Sequence, residues 1–260
     1  MSVVSVREVR IGAGRPKIIV PIFSAHEAEA AARAKALAGT AADLAELRLD
    51  PLREADGSLP DTDALCRAVG AVRDALPKCL PLLVTMRTAA EGGERACTPG
   101  DYAALLEALC AAGRADLLDM ELHTAGDALP GLCRTAHHAG AAVVASMHDF
   151  DATPPRAEMV SALCAMAEKG ADICKLAVMP RTAADAAELL AATAEARDAL
   201  PGVPLITMAM GPLGAVTRVC GGAFGSAATF GTAGVSSAPG QPDAAALRQA
   251  LDALDACLNG

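Results

Sequence analysis

The chain has 260 residues, a usual length for an α/β barrel, and at 53% hydrophobic but 2% aromatic it suits many alanine-rich helices packed closely on a sheet. The net charge of −9, without basic runs or interleaved aromatics, argues against nucleic acid as a partner. No apolar run reaches the roughly 18 residues of a membrane span, and the first ten residues carry charges where a signal peptide has its apolar region, so a cytoplasmic protein without membrane contact is expected.

In chain order, 3–11 reads as a strand, 12–16 as a turn and 17–22 as a second strand. Amphipathic helices are expected over 25–38, 61–75, 99–112, 124–138, 155–168, 182–196, 213–221 and 242–258. Between them, short apolar strands are expected over 44–49, 80–86, 117–122, 141–147, 171–176, 205–208 and 226–229. Counting from Lys17 gives eight strand–helix pairs, the period of a parallel sheet with crossover helices. The expected architecture is therefore one (β/α)8 TIM-barrel domain over 1–260. Its leading hairpin strand and turn, 1–16, lie outside the repeat and are placed to close the bottom of the barrel. The competing open doubly wound sheet has a glycine-rich phosphate loop after its first strand, and PIFSAH (21–26) is no such loop.

Nine cysteines, never closer than ten residues apart, exclude CxxC zinc or redox motifs and read as reduced, buried thiols used as small hydrophobes. In a barrel the chemistry sits at the C-terminal ends of the strands, where polar residues carry most information. Glu46, Arg48 and Asp50 alternate so as to share one side of the second strand. Arg87 and Glu91 follow the third strand, Glu121 and His123 the fourth, His148 and Asp149 the fifth. Arg218 comes just beyond the seventh, and Ser237 to Gln241 lie in the last loop. Glu46 with Arg48 has an alternative as a structural ion pair, and His148 as a strand-capping histidine. Glu121 and His123 are spaced to face one side of a strand but lack a third metal ligand. His137 and His138, at a helix end, read as partners of free carbonyls.

Lys175 stands out because it interrupts the apolar stretch 171–180 in a chain with 17 arginines and only five lysines. Arginine keeps its charge when buried, whereas desolvated lysine can lose its proton. A neutral lysine adds to ketones to give a Schiff base, and His148 is then available as a base beside the iminium carbon. The alternative is a strand-end lysine whose stem packs and whose head reaches water.

ELRLD (46–50), TMRT with EGGE (85–88, 91–94), SMHDF (146–150), ADICKLAVMP (171–180), the arginine of GAVTR (214–218), and FGSAATFG followed by SSAPGQ (224–231, 236–241) run in one order over nearly the whole chain. In these motifs the sequence resembles the type I 3-dehydroquinate dehydratases of the shikimate pathway. The resemblance implies a cofactor-free, metal-free (β/α)8 hydro-lyase, a homodimer, converting 3-dehydroquinate to 3-dehydroshikimate and water. It implies Lys175 as the imine-forming residue and His148 as the general acid and base, with Glu91 orienting it. Arg218 is implied to pair with the substrate carboxylate, and Glu46, Arg48 and Arg87 to hold ring hydroxyls. It further implies that Ser237 and Gln241 belong to a loop that closes over the site.

The sequence departs from the resemblance at Pro21 and Ile22, where many relatives have a serine, and at Met147 and Gly211-Pro212. Two alternatives stay open. Another Schiff-base barrel lyase or aldolase, acting on a small carboxylated or phosphorylated ketone, would share Lys175, although a sugar-phosphate aldolase would carry a glycine-rich phosphate site where SSAPGQ stands. A non-catalytic binding barrel would keep the arginines and could dispense with His148.

Overall fold

The computed structural model describes residues 3–233 and 241–259. Two short strands, Val4–Val6 (β1) and Val9–Ile11 (β2), pair antiparallel around a turn at Arg7, whose φ of 51° is the left-handed conformation a tight reversal requires. The stretch 3–11 is thus a hairpin in itself rather than one strand of a hairpin with 17–22. Valines at both ends suit a strand, but Arg7-Glu8 between them fits an exposed turn.

Eight parallel strands then alternate with helices: Lys17–Ile22 (β3), Leu44–Arg48 (β4), Leu82–Thr85 (β5), Leu117–Glu121 (β6), Ala142–Asp149 (β7), Ile173–Val178 (β8), Leu205–Ala209 (β9) and Ala228–Phe230 (β10). Their order is β10-β3-β4-β5-β6-β7-β8-β9. The remaining seam closes through a bridge between Leu205 and Ser226 and a 2.6 Å bond from the Ala227 amide to the Leu205 carbonyl. The result is the expected (β/α)8 barrel.

The helices are Glu27–Ala36 (α1), Thr62–Ala75 (α2), Pro99–Ala112 (α3), Leu122–Ala125 (α4), Leu129–His138 (α5), Arg156–Glu168 (α6), Ala183–Ala199 (α7), Ala215–Phe224 (α8) and Ala244–Asn259 (α9). Side-chain caps fix several starts: Asp61 accepts from the Ala64 amide, Thr98 precedes Pro99 and accepts from the Asp101 amide, and Thr182 and Asp185 form a reciprocal capping box. Each such cap stabilises its helix by about 1 kcal/mol. The single helix expected over 124–138 is instead α4 and α5 joined by a turn of 3-10 helix, because Gly126 adopts a positive φ and Pro130 follows.

Side chains alternate along each strand with period two, and this sorts the core into two compartments. Residues facing outward, such as Ile18, Leu47, Val84, Met120, Ala145, Cys174 and Leu176, pack against the helices. Facing inward, every strand places one residue in an apolar floor: Ile19, Leu44, Leu83, Leu117, Val144, Ile173, Ile206 and Ala228. Val6 and Ile11 of the hairpin pack into this floor from below, so the hairpin does close the bottom of the barrel. Two residues further up each strand, the inward layer changes character and includes Glu46, Thr85, Asp119, Ser146, Lys175, Met208 and Phe230. The chemistry is built on that layer and on the one above it.

Candidate active site

Lys175 sits in the middle of β8, opposite Ser146 of β7 and Ile206 of β9, and is 3% exposed. Its neighbours Cys174 and Leu176 face the helices, while Ile173 forms part of the floor beneath it. The surroundings are not simply apolar. Nζ lies 3.1 Å from Asp119 Oδ2 and 3.5 Å from Glu46 Oε1, and the Phe230 ring covers it with its centroid 4.8 Å away. The buried amine therefore enters the chamber as part of an ion-pair cluster, and its head does not reach water along the surface.

The imidazole of His148 is held by one carboxylate: Glu91 Oε2 lies 2.9 Å from Nδ1 and also accepts the His148 backbone amide at 3.0 Å. Burial, reinforced by the cations Arg87, Lys175 and Arg48, pushes this imidazole well below its ordinary range, so it is neutral at physiological pH. Burial pushes the Glu91 carboxyl up to about 8 against the pull of Arg87. A neutral histidine whose Nδ1 is fixed leaves Nε2 as its working nitrogen. Glu91 reaches this position on a turn of 3-10 helix, Ala89–Glu91, followed by two glycines. A Cβ on Gly92, whose φ is 81°, would stand 2.4 Å from the Phe150 ring, and one on Gly93 would meet the Arg87 carbonyl at 2.0 Å. The two glycines are thus required, Gly92 by its positive φ and Gly93 by the close approach of the Arg87 backbone.

Arg87 is the hub beneath these groups. Nη1 donates to Glu91 at 3.1 Å, Glu121 at 2.9 Å and Ser146 at 3.1 Å, and Nη2 donates to Asp119 at 2.7 Å. Glu121 also accepts from the Thr88 amide and hydroxyl and from Thr124, so its carboxylate anchors the TMRT turn. His123 does not share that face. The strand ends at Glu121, and His123 is exposed on α4. Among the described residues no group of three His, Cys, Asp or Glu side chains is placed to hold a metal ion.

Arg48 pairs with Asp50 rather than Glu46, through bonds of 2.7 and 2.8 Å, with the Phe23 ring 5.5 Å from its guanidinium carbon. Glu46 instead accepts from Thr85 at 2.9 Å as well as facing Lys175. Asp149 turns away from the chamber to accept the Asp151 and Ala152 amides. His138 bonds the Arg134 carbonyl at the end of α5, and His137 pairs with Asp172.

Arg218, on α8, is 2% exposed, and among the described residues no carboxylate pairs with it. Its Nε lacks a hydrogen-bond partner, Nη1 faces the Met208 sulfur at 3.6 Å, and burial lowers the guanidinium to about 10. A buried cation with no counter-ion is costly unless a ligand supplies the anion. Glu46, Arg48, Arg87, His148, Lys175 and Arg218 all line one pocket at the C-terminal mouth, together with Phe150, Phe230 and Gln241. Ser237 lies outside the described residues.

Reading strand ends does not single out Asp119, nor Ser146, whose hydroxyl donates to it at 2.6 Å. A signal for Asp119 is nonetheless present: an acid in the middle of LLDME is as anomalous as a lysine in the middle of ICKLAV. A larger groove, about 580 Å³, lies between α8, α9 and the 12–16 turn, but it gathers no comparable set of buried ionisable groups.

Fold and pocket together define a (β/α)8-barrel enzyme with its polar chamber at the C-terminal mouth. The family described as Type I 3-dehydroquinase matches residues 18–256. The chain is 41% identical to the 3-dehydroquinate dehydratase of Salmonella paratyphi B over 254 residues, 98% of this chain and 99% of that one. It is also 41% identical to the Bacillus licheniformis enzyme, over 96% and 97% of the two chains. The structure superposes on the type I 3-dehydroquinate dehydratase of Clostridium difficile with a TM-score of 0.92 at 36% identity, covering 99% and 100% of the chains. The chain belongs to the type I 3-dehydroquinases, hydro-lyases of the shikimate pathway.

Proposed function

We propose that this protein dehydrates 3-dehydroquinate to 3-dehydroshikimate through a Schiff base on Lys175, with His148 as the proton-transfer group. The observation that carries this reading is one pocket holding a buried strand lysine, a neutral histidine fixed by Glu91 and an arginine with no carboxylate partner among the described residues. The substrate supplies what each lacks: a ketone for the amine, an acidic C–H beside the resulting iminium for the imidazole, and a carboxylate for Arg218. The Lys175 nitrogen forms the C–N bond, and the ketone oxygen leaves as water. His148 then removes the neighbouring proton and the iminium takes up the electron pair; the enamine expels the hydroxyl, which leaves as water with a proton from the same residue, and hydrolysis of the product imine consumes one water and frees Lys175.

Arg48, Arg87 and Glu46 are assigned to the ring hydroxyls. Arg48 and Arg87 are each already oriented by a carboxylate, which presets the guanidinium plane. Gln241 lines the pocket and is assigned, with Ser237, to the covering loop. Support for covalent chemistry also comes from the Clostridium difficile relative, whose structure contains covalent modified comenic acid. The resemblance further supports a homodimer in the cytoplasm, which sedimentation velocity and cell fractionation would test.

The deciding experiment adds borohydride with 3-dehydroquinate. Activity, followed by the enone absorbance of the product, should be lost, and peptide mass mapping should place a reduced adduct on Lys175. An adduct on another lysine, or none, would overturn the covalent reading. Lys175→Ala should lose more than about 10,000-fold in kcat, the upper range for a group without which the chemical step has no route.

A further inference from the structure

We infer that Asp119 is the fixed counter-ion of the reacting nitrogen, holding Lys175 Nζ in its attacking position and facing the cationic nitrogen again once the imine has formed. This rests on the Schiff-base reading of Lys175. Two carboxylates approach the amine, and their surroundings differ. Glu46 is 3.5 Å away and lines the pocket, where a ligand can meet it. Asp119 is closer, at 3.1 Å, fully buried, and lies behind the lysine rather than on the pocket wall.

The Asp119 carboxylate is itself immobilised. Oδ1 accepts from Arg87 Nη2 at 2.7 Å and from Ser146 Oγ at 2.6 Å, leaving Oδ2 for Lys175. Burial alone would raise this carboxyl, but the charges of Arg87 and Lys175 and the Ser146 hydroxyl bring it down to about 2. It therefore stays ionised at any working pH and cannot serve as a proton donor. A charge so fixed and dry acts by preorganised electrostatics.

The overall step suits a permanent anion. Counted with the proton that the amine must give up before it attacks, an ammonium and a ketone become an iminium and water: the C–N bond forms, the carbonyl oxygen departs, and two of the three hydrogens end on that oxygen. One positive charge sits on nitrogen before and after, so the same counter-ion serves both states without reorganisation. The neutral enamine that follows proton removal gains nothing from Asp119. Because the charge is conserved, Asp119 does not favour imine over amine; its effect is expected on the rate of imine formation, through the fixed position of Nζ, more than on the amount of imine present or on substrate affinity.

The test compares borohydride trapping in wild type, Asp119→Asn and Ser146→Ala. With 3-dehydroquinate, Asp119→Asn should lower the maximal rate of adduct formation on Lys175 at least about 10-fold. The concentration giving half-maximal trapping should stay within about threefold of wild type, which a collapsed site would not allow. Ser146→Ala keeps the charge but loosens its aim, and should slow trapping about threefold to tenfold; it decides the matter if circular dichroism shows that the asparagine variant does not fold. Trapping at wild-type rates in Asp119→Asn, or in Ser146→Ala should the former be unfolded, overturns the role of Asp119 and leaves the Schiff base standing. Absence of any Lys175 adduct in wild type overturns the Schiff-base reading, and this inference with it.

Discussion

At the floor of the barrel Asp116 receives Arg7 Nε at 2.8 Å, Arg73 Nη1 at 2.9 Å and the Leu82 amide at 2.8 Å, while Arg73 also donates to the carbonyls of Leu76, Pro77 and Leu80. At the mouth, Arg218 is more deeply buried still, yet it meets a thioether and no carboxylate among the described residues. Arg73 at the floor thus has an anion from the described chain, as does Arg87 in the chamber, whereas Arg218 at the mouth has no carboxylate partner among the described residues. A charge paired within the protein holds the fold together, whereas one left unpaired is stabilised only when a ligand brings the opposite charge. The aspartates three residues apart show the same contrast. Every side-chain partner of Asp116 is a permanently charged arginine or a backbone amide, while Asp119 has among its partners the one cation able to form a covalent bond with a ketone.

The sharpest way to separate the two ends is His148→Ala. Turnover should fall about 100-fold to 10,000-fold, while a borohydride-trappable adduct accumulates on Lys175. Near-normal turnover would remove the histidine from the mechanism, and loss of both turnover and adduct would mean that it is also needed to make the imine. No substitution at the floor should produce an enzyme that is folded but arrested in this way.

Exchanging the arginines for methionine tests the contrast in stability. Arg73→Met strands part of the Asp116 charge and should cost about 3 kcal/mol in urea denaturation. Arg218→Met removes a buried cation that lacks a carboxylate partner among the described residues, and should leave the unliganded protein equally stable or more stable, by up to about 2 kcal/mol. Equal losses at the two positions would erase the distinction drawn between them. Arg218→Ala should meanwhile raise KM for 3-dehydroquinate by an amount equivalent to about 2 to 5 kcal/mol, the cost of truncating one partner of a buried charge pair. A wild-type KM would mean that the carboxylate binds elsewhere.

The smallest effect is on pH dependence. Because burial and nearby cations depress the His148 imidazole, it stays neutral as pH falls through 6.5, and kcat/KM should begin to fall only well below that value. Glu91, raised to about 8, ionises as pH rises through that value and should give the profile an inflection there, which Glu91→Gln removes. An acid limb centred at 6.5 or above would contradict the burial of the histidine.

The barrel is legible in the chain itself, because eight alternations of apolar run and amphipathic helix are a local pattern that each segment carries independently. The anomaly of Lys175 is legible too, since a lysine between Cys174 and Leu176 conflicts with its own strand. The hairpin within 3–11 is not, because the reversal turns on the backbone conformation of Arg7. Nor is the choice of Asp50 over Glu46 by Arg48, because alternation gives a side chain its face but not its partner. Packing around the closed barrel places Asp119 behind Lys175 and leaves Arg218 without a carboxylate partner among the described residues. Those facts depend on how the strands are staggered, a relation among residues as far apart as 46, 119 and 175 that no single segment contains.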